Sequence, residues 1–135
     1  MRTFLTVIIA IFAAISCHTA SAADDLAGVK FLVEMVAGAD TIDTGQTSFL
    51  ISQDGTVATS IGCNRLAGKA TLEGTNVQFG PLMSTRKACA PKLMEHEHLY
   101  AGALSKVRSF KIDGHLTTFL DVNGAVLVAL ARAAQ

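Results

Sequence analysis

Short turn signals cut most of this chain into pieces too brief for anything but strands. Asp54-Gly55, Glu73-Gly74-Thr75-Asn76, Asp113-Gly114 and Asn123-Gly124 each place residues that tolerate positive φ between apolar segments, as tight hairpins require. The segments between them are rich in branched and aromatic side chains. They are Val29 to Val36, Thr47 to Ser52, Thr56 to Ile61, Lys69 to Leu72, Val77 to Phe79, Ser109 to Ile112, Leu116 to Leu120 and Val126 to Leu130. Short strands joined in sequence by turns predict an antiparallel, meander-like sheet. No fixed-period repeat or low-complexity tract interrupts the pattern.

One stretch differs. Pro91 to Val107 opens with a proline, whose missing N–H is not needed in the first turn of a helix. Leu93, Tyr100, Leu104 and Val107 then fall on one helical face, with Glu97 and Ala103 beside them. Glu95 and Glu97 lie early, Lys106 and Arg108 at the end, as the helix dipole favours. Gly102 costs about 1 kcal/mol against alanine at an exposed interior position. The expected fold class is therefore α+β: a curled antiparallel sheet of short strands packed on one α-helix, about Pro91 to Val107, after a polar lead-in from Ala23 to Ala27.

The start of the chain has the three-part logic of a secretory signal. Arg2 is followed by an apolar run from Phe4 to Ile15, broken by Thr6, and then by Ala20-Ser21-Ala22, an A-x-A cleavage pattern. The run is about 12 residues, short of the roughly 20 needed to span a bilayer. Two segments are thus expected: residues 1–22, a signal peptide cleaved near Ala22, and residues 23–135, one domain. The mature protein is expected to be periplasmic or secreted. The alternative is a lipid anchor at Cys17, which follows small residues at the end of the run.

Of the 135 residues, 11 are Lys or Arg and 11 are Asp or Glu. Losing Arg2 leaves the domain close to neutral, without the basic face that phosphate-backbone binding demands, so nucleic acid is not an expected partner. No later stretch is apolar for long enough to span a membrane, and a monomer is expected. Of three cysteines, Cys63 and Cys89 remain once Cys17 is removed or acylated. An even pair in an oxidising compartment is normally joined. Closing a loop of about 27 residues contributes roughly 3 to 4 kcal/mol in the chain-entropy model.

The middle and end of the chain resemble the META domain, also called HslJ-like, of bacterial envelope proteins. Carrying the resemblance are Gly62-Cys63-Asn64-Arg65 with Gly68, Phe79-Gly80-Pro81-Leu82, Thr85 with Ala88-Cys89, and Leu93-Met94-Glu95. Asp113-Gly114, Leu120-Asp121 and Asn123-Gly124 extend it to the closing strands. It covers roughly Leu26 to Arg132. The chain departs at Phe31, where the family often carries tryptophan, and in its sparse aromatics. The resemblance implies a barrel-like antiparallel sheet on one helix, and a setting in envelope stress, heat-shock-like responses, antibiotic tolerance or secretion, without an established catalytic activity.

Three constellations compete for a chemical role. Cys89 lies two residues before the helix, with Arg86 and Lys87 upstream, a setting that can activate a thiol; there is, however, no Cys-x-x-Cys spacing. Glu95-His96-Glu97-His98 reads like a metal cluster, yet His96 and His98 point about 200° apart on a helix, and Glu95 with His98 makes a poor site alone. A solvated helix face is the expectation. His115 follows a turn glycine, and no G-x-S-x-G elbow or P-loop ending is present. No catalytic residue, metal ligand or cofactor is therefore expected. A Cys63–Cys89 disulfide would bring Asn64 and Arg65 beside Arg86 and Lys87, a small patch suited to an anionic envelope component or an envelope protein. The expected function is non-enzymatic binding. The alternatives are a small thiol-dependent or hydrolytic enzyme and a metal-binding module.

Overall fold

The computed structural model describes residues 20–41 and 46–134. The expected signal segment up to residue 19, Cys17 included, lies outside the described residues. The first half holds α1 (Ala22–Leu26), β1 (Phe31–Val36), β2 (Ala39–Asp40), β3 (Ser48–Ile51), β4 (Thr56–Ser60) and β5 (Arg65–Glu73). The second holds β6 (Asn76–Phe79), β7 (Met83–Ser84), α2 (Pro91–Lys106), β8 (Ser109–Asp113), β9 (Leu116–Leu120) and β10 (Val126–Arg132).

Eight strands run in the order β10-β9-β8-β6-β5-β4-β3-β1, and β1 pairs back onto β10. The sheet is thus a closed antiparallel barrel, which leaves its main strands without free edges. The short β2 and β7 attach to β1 and β5. The hairpins form at the predicted turns, with Gly55, Gly74, Gly114 and Gly124 all at positive φ. At the first of them the Asp54 carboxylate accepts from the Thr56 amide and hydroxyl, each at 2.9 Å. Those bonds, the amide foremost, hold its pKa below the usual carboxylate value.

Alternation along the strands fills the interior. Phe31, Val33 and Val36 of β1 point inward, and the register slips between Val33 and Met35. That bulge explains why inward positions are two apart before it and three apart across it. Phe49 sits at the centre of an aromatic cluster, with ring centroids 6.5 Å from Phe31, 6.1 Å from Phe79 and 5.2 Å from Phe119. Edge-on packing of this kind suits the ring quadrupoles. The interior is a packed core, as small barrels require.

Helix α2 buries Glu97, Tyr100, Ala103 and Leu104, the stripe its spacing predicted. It packs against β10, β1 and β6, which lie on different sides of the barrel. A helix touching opposed walls closes one end of the barrel instead of lying along a face of the sheet. Tyr100 reaches inside: its hydroxyl is 2.6 Å from Thr59 Oγ1. Thr59 donates its own proton to the Ser48 carbonyl at 2.7 Å, so Tyr100 is the donor of the pair. Burial pushes the phenol pKa up from its ordinary value of 10.0, against the opposing Thr59 bond.

The segment expected as a polar lead-in is instead the short helix α1. Ser21 caps it and Asp24 completes a capping box, while Leu26 is fully buried in the core. Among the described residues there are therefore two helices, and the expected cleavage after Ala22 falls within the first turn of α1, beyond its Ser21 cap.

Candidate functional site

The motif residues converge where the β4–β5 connection meets the segment leading into α2. Gly62 turns the chain with φ at 134°, a region that side chains disfavour. Cys63 and Cys89 form a disulfide, with Cα atoms 6.4 Å apart, inside the normal range for such a bridge.

Behind the bridge lies a polar network organised by one carboxylate. Glu97 Oε1 accepts from the amides of Cys63 at 3.1 Å and Asn64 at 2.6 Å, and Oε2 accepts from Asn64 Nδ2 at 2.9 Å. Glu97 is buried, so its charge is tolerable only because donors surround it. Asn64 then faces the other way as well. Its Oδ1 accepts from Lys87 N at 2.7 Å and Thr85 Oγ1 at 2.9 Å. Arg65 and Thr85 are tied through Arg65 N to Thr85 Oγ1 and Thr85 N to Arg65 O, both 3.0 Å. Gly68 serves the same corner: a Cβ there would lie 2.7 Å from both the Pro81 carbonyl and Leu82. The Gly-Pro-Leu segment can cross β5 closely only over a bare backbone.

The predicted patch thus divides. Arg65, Arg86 and Lys87 are exposed, whereas Asn64 is 6% exposed with both ends of its amide engaged. Asn64 builds the corner and is not part of its surface, because a side chain bonded to a helix, a loop and a backbone amide has nothing left to offer a ligand. Among the described residues the one ion pair joins Lys69 to Asp54, 3.4 Å apart. The three cations of the corner therefore form no ion pair among the described residues, and the Glu97 carboxylate is taken by Cys63 and Asn64. Lys92 adds a fourth exposed cation at the start of α2, whose first turn contains no acidic residue.

Glu97 is the residue that reading the sequence missed. The four residues 95–98 were expected on a solvated face, but only Glu95 and His98 are exposed. His96 is half-buried, and its Nε2 is buried without a hydrogen-bond partner. The signal was present, since Leu93, Glu97, Tyr100 and Leu104 share one helical stripe. Among the described residues, Cys63, Cys89 and Glu97 are the group whose ligand atoms come together, within 4.8 Å of one another. With the sulfurs bonded to each other and the carboxylate occupied by donors, this set holds the corner together. A carboxylate so close also opposes the negative charge that thiol exchange places on sulfur.

Known proteins fit this architecture. The family model of the META domain matches residues 24–134. No curated protein matches the sequence. Solved structures share the fold: an NMR structure of a protein from Burkholderia xenovorans superposes with a TM-score of 0.67 at 20% identity, covering 84% of this chain and 88% of that one. A second NMR structure gives 0.65 at 20% identity, covering 82% and 93%. The crystal structure of a DUF4847 family protein from Bacteroides vulgatus gives 0.52 at 15% identity, covering 66% and 60%. The matched span takes in the disulfide, the Asn64–Glu97 network and every strand of the barrel: this chain belongs to the META domain family.

Proposed function

We propose that this META domain is an exported, non-enzymatic binding module that holds an anionic envelope component against Arg65, Arg86 and Lys87. The observation that carries the reading is the contrast within the corner. Its polar interior is fully occupied, while its cations are exposed and have no carboxylate partner among the described residues. Charges fixed in advance by a disulfide and a hydrogen-bonded loop lose less freedom on binding than charges on a loose loop. The reactive candidates are otherwise spent, which supports binding over catalysis. The intramolecular disulfide fits an oxidising compartment, and the setting the family implies is envelope stress or antibiotic tolerance.

Solubilised envelope extract passed over immobilised protein tests this. Wild type should retain an anionic component in a salt-sensitive way. The Arg65→Glu, Arg86→Glu double variant should lose it with an unchanged melting temperature. Equal retention by both proteins would overturn the reading.

A further inference from the structure

On the outside of the barrel, β1, β3, β4 and β5 form a groove of about 520 Å3, within the range of small-ligand sites. Its outward residues include Leu32, Leu50, Ala58 and Ala67. Ala58 pairs with Leu50 on one side and with Ala67 on the other, so two bare methyl groups lie side by side on neighbouring strands and leave a trough. Leu32 stands at the β1 side, 43% exposed. Outward positions of a water-facing sheet are ordinarily polar, and this stripe is not.

The charged residues of the groove are Lys30 and Arg65, and no carboxylate lines it among the described residues. Arg65 also belongs to the cationic corner, so the apolar trough and the anion-binding corner are continuous. The floor offers no backbone edge for an added strand. β3, β4 and β5 are paired on both sides, and where β1 and β3 diverge, the Val33 amide is taken by Thr47 Oγ1 at 3.2 Å. A hydrocarbon chain, with no hydrogen bonds to satisfy, suits such a floor.

We infer that the groove receives the chain of a single-chain anionic amphiphile whose head group rests on Arg65. This builds on the proposed anion-binding role and names the ligand class. The test is an NMR shift titration of the full domain with dodecyl phosphate below its micelle concentration, beside inorganic phosphate and dodecanol. Dodecyl phosphate should bind at least tenfold more tightly than either. Ala58→Trp, which fills the trough from an exposed position, should abolish that advantage and leave phosphate binding unchanged. Leu32→Ser, at the groove's other side, should weaken it as a second variant.

If dodecyl phosphate binds no more tightly than phosphate, the inference fails while the anion-binding role stands. If dodecanol binds as tightly as dodecyl phosphate, the inference fails because the head group adds nothing; if neither phosphate nor dodecyl phosphate binds, both fail. A dimer that Ala58→Trp dissociates would assign the groove to a second copy of the chain and overturn the inference.

Discussion

The aromatic interior of the barrel and the Asn64–Glu97 pair behind the disulfide are both buried, yet they are held by different physics. Phe49 touches three other rings, and its contribution scales with apolar area, which does not depend on any single partner. Glu97 accepts three hydrogen bonds in fixed directions, and each donor has nowhere else to turn. The interior can therefore absorb small changes by repacking, whereas the corner works only when every valence is met. At the corner Gly62, Cys63, Asn64, Thr85 and Cys89, all among the residues that carry the resemblance, are held to fixed partners.

Substitutions in the two regions should separate them. The largest loss is expected from Phe49→Ala, about 4 kcal/mol for emptying a central ring site, read as a shift in the urea midpoint. Amide exchange at Cys63 and Asn64 should then accelerate only with global unfolding. Glu97→Gln should cost less, about 2 kcal/mol. Its amide would present a donor to Asn64 Nδ2, and Asn64 cannot turn over while its Oδ1 serves Lys87 and Thr85. Here the exchange of the Cys63 and Asn64 amides should quicken well before the rest of the barrel. If both variants give the same exchange pattern, the distinction between the regions falls.

The smallest effect sharpens the boundary between them. Tyr100 brings a polar group into the core, and Tyr100→Phe should cost about 1 kcal/mol at neutral pH. Its phenol pKa is raised on folding, so the unfolded chain ionises first as pH rises. Stability should be level below about pH 10 on this account and fall above it, a slope that Tyr100→Phe removes. The protein has one tyrosine and no tryptophan, so phenolate absorbance reports this residue alone. Ionisation at an ordinary pH in the folded protein would contradict the buried Tyr100–Thr59 pair.

How much of this was legible in the chain follows from the range of each interaction. The hairpins and the inner stripe of α2 were visible because turn residues and helical spacing act locally. The closure of β1 onto β10 joins the two ends of the domain, and no local pattern records it. β7 and the first half of the long β5 escaped because neither Met83-Ser84 nor Arg65-Leu66-Ala67-Gly68 carries a strand signature. α1 escaped because a five-residue helix depends on its cap and on burying Leu26, not on periodicity. Asn64 and Glu97 were misassigned because polar letters read as surface until their partners, 33 residues apart, are known. The outer groove was hidden for the same reason, since its residues come from different strands.

Whether the corner's sulfurs and carboxylate only hold a surface in place, and carry out no chemistry, is decided by the reduction potential of the Cys63–Cys89 disulfide, measured by equilibration with dithiothreitol. A structural bridge backed by Glu97 should lie below about −300 mV. A value near −200 mV, within reach of a glutathione pool, would make the pair a redox reagent and not a structural staple.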